Sequence, residues 1–148
     1  MTMNLAELKV GVKIPEIRRS IDQANINRYA EASGDFNPIH IDEEYAGNTS
    51  LGGTIAHGMM VLAYVSQLMT SAFGKAWLSG GSLNVRFKTP ARPGDTVTVN
   101  GEINSVEEQN GERQVGCNVL VSNQDDEVII TGKTTVRLKT KGQNETGR

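Results

Sequence analysis

Between Thr54 and Phe73 the chain carries Met59-Met60-Val61-Leu62-Ala63-Tyr64-Val65 and then Leu68-Met69, apolar side chains that fall on nearly every face of a helix. A helix of that kind has to be enclosed by something. The material to enclose it follows directly. After Gly80 and Gly81 the apolar period drops from 3.6 to 2: Leu83, Val85 and Phe87 alternate with Asn84, Arg86 and Lys88. Past the turn from Pro90 to Asp95 the same alternation resumes in Val97, Val99, Gly101 and Ile103. Gln109-Asn110-Gly111 signals a hairpin into the run from Arg113 to Ser122, and Gln124-Asp125-Asp126 a second turn into Val128 to Leu138. The pattern predicts four consecutive antiparallel strands wrapped around one long helix over 54–73. With the helices first and the strands afterwards, the fold class is α+β.

A chain of 148 residues is one domain by length, 1–148, and is large enough to bury a single core without covalent staples. Residues 139–148 are polar, lack an apolar anchor and read as a flexible tail. The charge is −2, with 15 basic and 17 acidic residues mixed along the chain, which leaves no footprint for nucleic acid or an anionic membrane. The most apolar stretch, from Met59 to Phe73, is shorter than the roughly 20 residues a membrane span needs and contains Ser66, Gln67, Thr70 and Ser71. Cys117 is the one cysteine, which excludes an internal disulfide or a cysteine metal cluster and reads as a buried strand residue in a reducing compartment. The N-terminus has no apolar signal core, so the cytoplasm is the expected location.

Ahead of the long helix, the run from Val10 to Arg19 contains Pro15 and reads as an edge strand or extended arm. A helix over 22–33 follows, with Ser20 and Gln23 at capping-box spacing and Gly34 as its terminator. Next come Gly34-Asp35-Phe36-Asn37-Pro38-Ile39-His40 and a short helical turn around Asp42 to Tyr45. Proline fixes its own φ and keeps the preceding residue out of the helical region, so Asn37-Pro38 is a stiff corner with Asp35 and His40 on its two arms. A carboxylate and an imidazole held in this way look like half of an acid–base site. A metal reading that adds Asp42 and His57 matches no ligand spacing, and a nucleophilic triad through Ser33 or Ser66 lacks the strand-turn-helix elbow. We therefore expect no metal.

The run from Tyr29 to His40, Tyr-Ala-Glu-Ala-Ser-Gly-Asp-Phe-Asn-Pro-Ile-His, together with Ile55-Ala56-His57-Gly58-Met59, resembles the MaoC-like hydratase family of (R)-specific enoyl-CoA hydratases and related dehydratases. Val85-Arg86-Phe87-Lys88 and Arg92-Pro93-Gly94-Asp95 extend the resemblance to most of the chain, from about Leu8 to Leu138. It implies the hotdog fold, a long central helix in a curved antiparallel sheet, and usually a homodimer. It also implies that Asp35 and His40 are the catalytic pair, that the Gly58 backbone N–H binds the thioester oxygen, and that Ser66 lines the acyl pocket. Asn37 and His57 join Ser66 as expected substrate-binding residues. For His57 a supporting structural role competes with a direct one, and for Ser66 a bond back to a carbonyl one turn earlier competes equally with pocket lining. Arg86, Lys88 and Arg92 are either contacts for coenzyme A phosphates or a solvated face.

The implied reaction is hydration of a trans-2-enoyl-CoA to the (3R)-3-hydroxyacyl-CoA, or its reverse, with no dissociable cofactor. Such chemistry needs a base to activate water, an acid to protonate Cα and donors for enolate charge, which Asp35, His40 and Gly58 would supply. The alternatives are a dehydratase acting on 3-hydroxyacyl chains of acyl carrier protein, thioester hydrolysis, and a non-catalytic acyl-CoA binding subunit of a heteromeric dehydratase.

Overall fold

Two backbone periods in one chain produce two kinds of surface that cover each other. In the computed structural model, which describes residues 2–140, strand β1 (Lys13–Ser20) leads into helices α1 (Gln23–Ser33), α2 (Pro38–Ile41), α3 (Glu43–Gly47), α4 (Gly58–Phe73) and α5 (Lys75–Gly80). Strands β2 (Ser82–Phe87), β3 (Thr96–Gln109), β4 (Glu112–Ser122) and β5 (Val128–Lys139) follow. All five strands form one antiparallel sheet in the order β1-β3-β4-β5-β2. This is the α+β hotdog arrangement expected above.

The strand order corrects the expectation of four strands paired consecutively. The strands β3, β4 and β5 are joined by tight turns, but β2 pairs with β5 across the sheet, Phe87 opposite Ile130 and Ser82 opposite Thr135. Two prolines and Gly94 between Phe87 and Thr96 rule out a short hairpin there, so the chain crosses to the far side and leaves β2 as an edge. The other edge is β1, whose pairing with β3 shifts between Ile14 and Ile17. Pro15 sits in that irregularity, where its missing N–H breaks no ladder.

One face of the sheet packs on α4. Val97, Val99, Ile103, Val115, Cys117, Val121, Ile130 and Val136 meet Val61, Val65, Leu68, Met69 and Ala72 in a single buried cluster. The contact is close because Gly101 has no side chain: a Cβ there would lie 2.9 Å from Ile14 Cδ1 and 3.2 Å from Leu68 Cδ2. Trp77 of α5 belongs to the same cluster.

The long helix differs from its expectation in two ways. It begins at Gly58 and not at Thr54, because the backbone before it is used elsewhere: Ile55 N–H donates to Ile39 O and Ala56 N–H to Ala91 O. Its enclosure is also one-sided within a single chain. Met59 is 60% exposed, and Ala63 and Gln67 are exposed on the same flank. Among the described residues, no helix is long and apolar enough to cross a membrane.

At the start of α1 the cap is Asp22, whose carboxylate accepts from Asn25 N–H at 2.7 Å, and not Ser20, which is still paired in β1 opposite Thr96. Gly34 ends the helix as expected, with φ 79° in the left-handed region. Of the predicted tail, Lys139 is strand, paired with Glu112, and Thr140 N–H donates to Gly111 O. The rest of that tail lies outside the described residues.

Candidate active site

Gly34 turns the chain sharply out of α1, and the next residues build a hydrogen-bonded loop. Asp35 N–H donates to Ser33 Oγ at 3.2 Å, and the Asp35 carboxylate in turn accepts Asn37 N–H at Oδ1, also at 3.2 Å. Asn37 then caps α2, its side-chain oxygen accepting from Ile39 N–H with Pro38 at the first helical position. The stiff corner is thus the N-terminus of a one-turn helix. With Oδ1 committed to the loop, Oδ2 is the oxygen left to face the site.

His40 sits at the end of that turn and is 7% exposed. Its Nδ1 is 2.8 Å from the carbonyl oxygen of Ile55. A carbonyl only accepts, so Nδ1 carries the hydrogen and Nε2 is the nitrogen available for chemistry. Nε2 lies 3.9 Å from Asp35 Oδ2, whose side chain is 53% exposed. That spacing is too long for a direct hydrogen bond but lets one water oxygen, about 2.8 Å from each atom, touch both. The two expected acid–base groups therefore face one another at the solvent boundary.

Gln23, which drew notice in the sequence only as part of a cap, stabilises this corner over a long range. Its side-chain nitrogen donates to His40 O at 2.7 Å, and its oxygen accepts from Thr54 Oγ1 at 2.7 Å. One amide therefore joins α1, α2 and the segment before α4.

Gly58 is the first residue of α4, where N–H groups have no intrahelical acceptor and the helix dipole is positive. It lines a cleft of about 290 Å³ whose walls include Ile55, Ala56, Phe87, Lys88 and Pro90. A Cβ on residue 58 would lie 3.0 Å from Phe87 Cε1, so glycine keeps both the amide and the space before it open. Lys88 thus reaches the cleft from the edge of the sheet.

The structure treats the expected substrate-binding residues unequally. Ser66 lies two turns along α4, about 12 Å from Gly58 at the helical rise. Its Oγ accepts the Trp77 indole N–H at 3.0 Å, a bond across to α5 that the sequence did not suggest. Asn37 is exposed and its side-chain oxygen serves as the α2 cap. His57 is 2% exposed, and its Nε2 lies 2.9 Å from the Asp35 carbonyl oxygen. Its ring stacks on His40 with centroids 3.9 Å apart and planes at 26°.

Asp35, His40 and His57 bring possible metal-ligand atoms within 4.8 Å of one another. The set is a poor match to a metal ion. Nearly parallel stacked rings aim their in-plane lone pairs side by side and not at a common centre. Two of the four ring nitrogens are already bonded to carbonyls.

Comparison with known proteins places the chain in a family. The family described as MaoC like domain matches residues 9–125. The chain is 28% identical over 135 residues to a 3-hydroxybutyryl-CoA dehydratase from Methylorubrum extorquens, covering 91% of this chain and 83% of that protein. It is 28% identical over 137 residues to an (R)-specific enoyl-CoA hydratase from Aeromonas caviae, covering 92% and 99%. Among solved structures, an R-hydratase from Pseudomonas aeruginosa in its unliganded form superposes with a TM-score of 0.76 at 29% identity, covering 93% of this chain and 89% of that one. The matched region contains both arms of the Asn-Pro corner and the Gly58 helix start, and the chain belongs to the MaoC-like domain family.

Proposed function

We infer that this protein is a hydro-lyase that adds water to a trans-2-enoyl-CoA to form the (3R)-3-hydroxyacyl-CoA, or removes it in the reverse direction. The observation that carries the reading is the facing of Asp35 Oδ2 and His40 Nε2 at 3.9 Å beside the open N-terminus of α4. Relatives named as hydratases and dehydratases of coenzyme A thioesters support it.

In hydration, Asp35 accepts a proton from the water held between the two groups as its oxygen attacks Cβ. His40, carrying a second proton on Nε2 while its Nδ1–H stays on Ile55 O, delivers that Nε2 proton to Cα and regains one from Asp35 through the next water, and the Gly58 N–H stabilises the negative charge that collects on the thioester oxygen. Dehydration runs the same transfers backward. No redox change occurs, so the residues present suffice in principle. Ser66 and Asn37 remain candidates for substrate contact, with Lys88 at the cleft as the cation best placed for coenzyme A.

The test is purified protein with crotonyl-CoA, following loss of the enoyl absorbance and the configuration of the product. Turnover giving the (3R) isomer is expected. Absence of turnover on every chain length, offered as coenzyme A or carrier-protein thioester, would refute the reading. Matched substrate pairs separate the coenzyme A enzyme from a carrier-protein dehydratase.

The assembly we propose is a homodimer. Edge strand β2 has an unpaired side, and Met59, Leu83 and Phe87 expose apolar surface near it, 60%, 38% and 53% respectively. A second copy laid against this edge would cover the flank of α4 that one chain leaves open. The lone buried cysteine and mixed charge support the cytoplasm as the compartment.

A further inference from the structure

His57 is buried beside the acid–base pair, and substrate has no direct path to it at 2% exposure. Its contacts run instead to the groups that do the chemistry. Nε2 meets the main-chain carbonyl of Asp35, the ring lies against His40, and its chain neighbour is Gly58. Tyr29 of α1 also touches the ring, with centroids 4.8 Å apart and planes at 55°. One side chain therefore contacts or adjoins every group assigned to the reaction.

We propose that His57 is the positioning residue of the acid–base pair: as its Nε2–H tautomer it ties the Asp35 backbone to the start of α4 and braces the His40 ring, which sets the spacing of carboxylate and imidazole. The proposal rests on the hydratase reading of this site and extends it to a residue that does not touch substrate.

The tautomer follows from the partner. A carbonyl oxygen cannot donate, so Nε2 holds the hydrogen in the bond to Asp35, and the lone pair is on Nδ1, which is buried with no partner. His40 shows the opposite arrangement, with its hydrogen on Nδ1 toward Ile55 O. The stacked imidazoles are thus fixed as mirror tautomers by two carbonyls. Asp35 follows the left-handed Gly34, its side chain is half exposed, and its N–H is held only locally, by Ser33 Oγ. The His57 bond, which reaches across 22 residues, ties that backbone to the core.

A filler of the core would be replaced equally well by any ring of similar size, and this separates packing from positioning. His57→Phe keeps a ring against His40 but has no donor; His57→Gln keeps a donor and loses the ring. With crotonyl-CoA, His57→Phe is expected to lose about 10²-fold in kcat with KM nearly unchanged, the effect of a misplaced catalytic group. His57→Gln is expected to retain about tenfold more activity than His57→Phe. Equal loss in both variants, unimpaired kcat in His57→Phe, or a loss carried by KM would overturn the proposal while leaving the hydratase reading intact.

A second measurement needs no variant. The chain has two histidines, so long-range proton–nitrogen spectra of the nitrogen-15-labelled wild type read both tautomers directly. His57 as Nε2–H and His40 as Nδ1–H is expected. An Nδ1–H tautomer at His57 would sink the proposal even if neither variant folds, and wild type silent on all thioesters would sink the hydratase reading separately.

Discussion

The Asp35 carboxylate is divided between two tasks, one oxygen closing the loop on Asn37 N–H and the other facing His40. Asp35→Asn preserves the loop bond but removes the proposed base, and His40→Gln removes the proposed acid. Each is expected to lower kcat by about 10²–10⁴-fold with the melting temperature little changed. Rates near wild type in either variant would reject the assignment. Cys117 lies at the opposite extreme of reactivity. Fully buried on β4, its thiol is pushed up to about 11 by burial, partly offset by a hydrogen bond with Thr134. Native protein is expected to resist a thiol reagent that labels it at once after unfolding. Because the folded value exceeds the ordinary 9.0, the neutral thiol favours folding below pH 9.0, and this contribution is lost as pH rises toward about 11. Burial raises the Tyr64 hydroxyl as well, so urea midpoints should fall across the alkaline range. The proximity of Asp35 and His40 was legible in the sequence because seven adjacent residues hold them around a proline. A supporting role for His57 was among the sequence readings, but its partner, the long-range bonds of Gln23 and the Trp77 partner of Ser66 were not legible, since these bonds cross 22, 17 and 11 positions with no local pattern to mark them.

At the scale of elements, period and punctuation read well wherever the deciding contacts are local. Asn110 and Gly111, with φ 54° and 77°, make the predicted tight hairpin between β3 and β4. The start of α4 and the cap of α1 were misread because competing partners lie far along the chain: Ala91 O takes the N–H that would have extended α4 backward, and pairing with Thr96 holds Ser20 in a strand. The pairing of β2 with β5 was also hidden. It depends on Gly132, where a Cβ would lie 2.5 Å from Asn84 O and 2.7 Å from Val85 Cγ1. Backbone cannot move aside as a side-chain tip can. Gly132→Ala is expected to destabilise the fold by about 1–3 kcal/mol, measured by chemical unfolding. A midpoint equal to wild type would show that β2 tolerates displacement.

For the molecule as a whole, the unfinished feature is the α4 flank beside the open edge of β2. If a second copy completes it, Leu83→Glu introduces facing like charges at that edge and is expected to shift the sedimentation coefficient from dimer toward monomer. A wild type that sediments as a monomer at micromolar concentration would dismiss the interface. The family, the fold class and the nearness of Asp35 to His40 were set by sequence alone, because periodicity, a glycine stop and an Asn-Pro corner act between neighbours and need no distant partner. The edge position of β2, the one-sided cover on α4 and the stacked histidines were decided only in three dimensions. Each arises where segments far apart in the chain compete for the same hydrogen-bonding groups or the same space, and only the closed fold determines which segment wins.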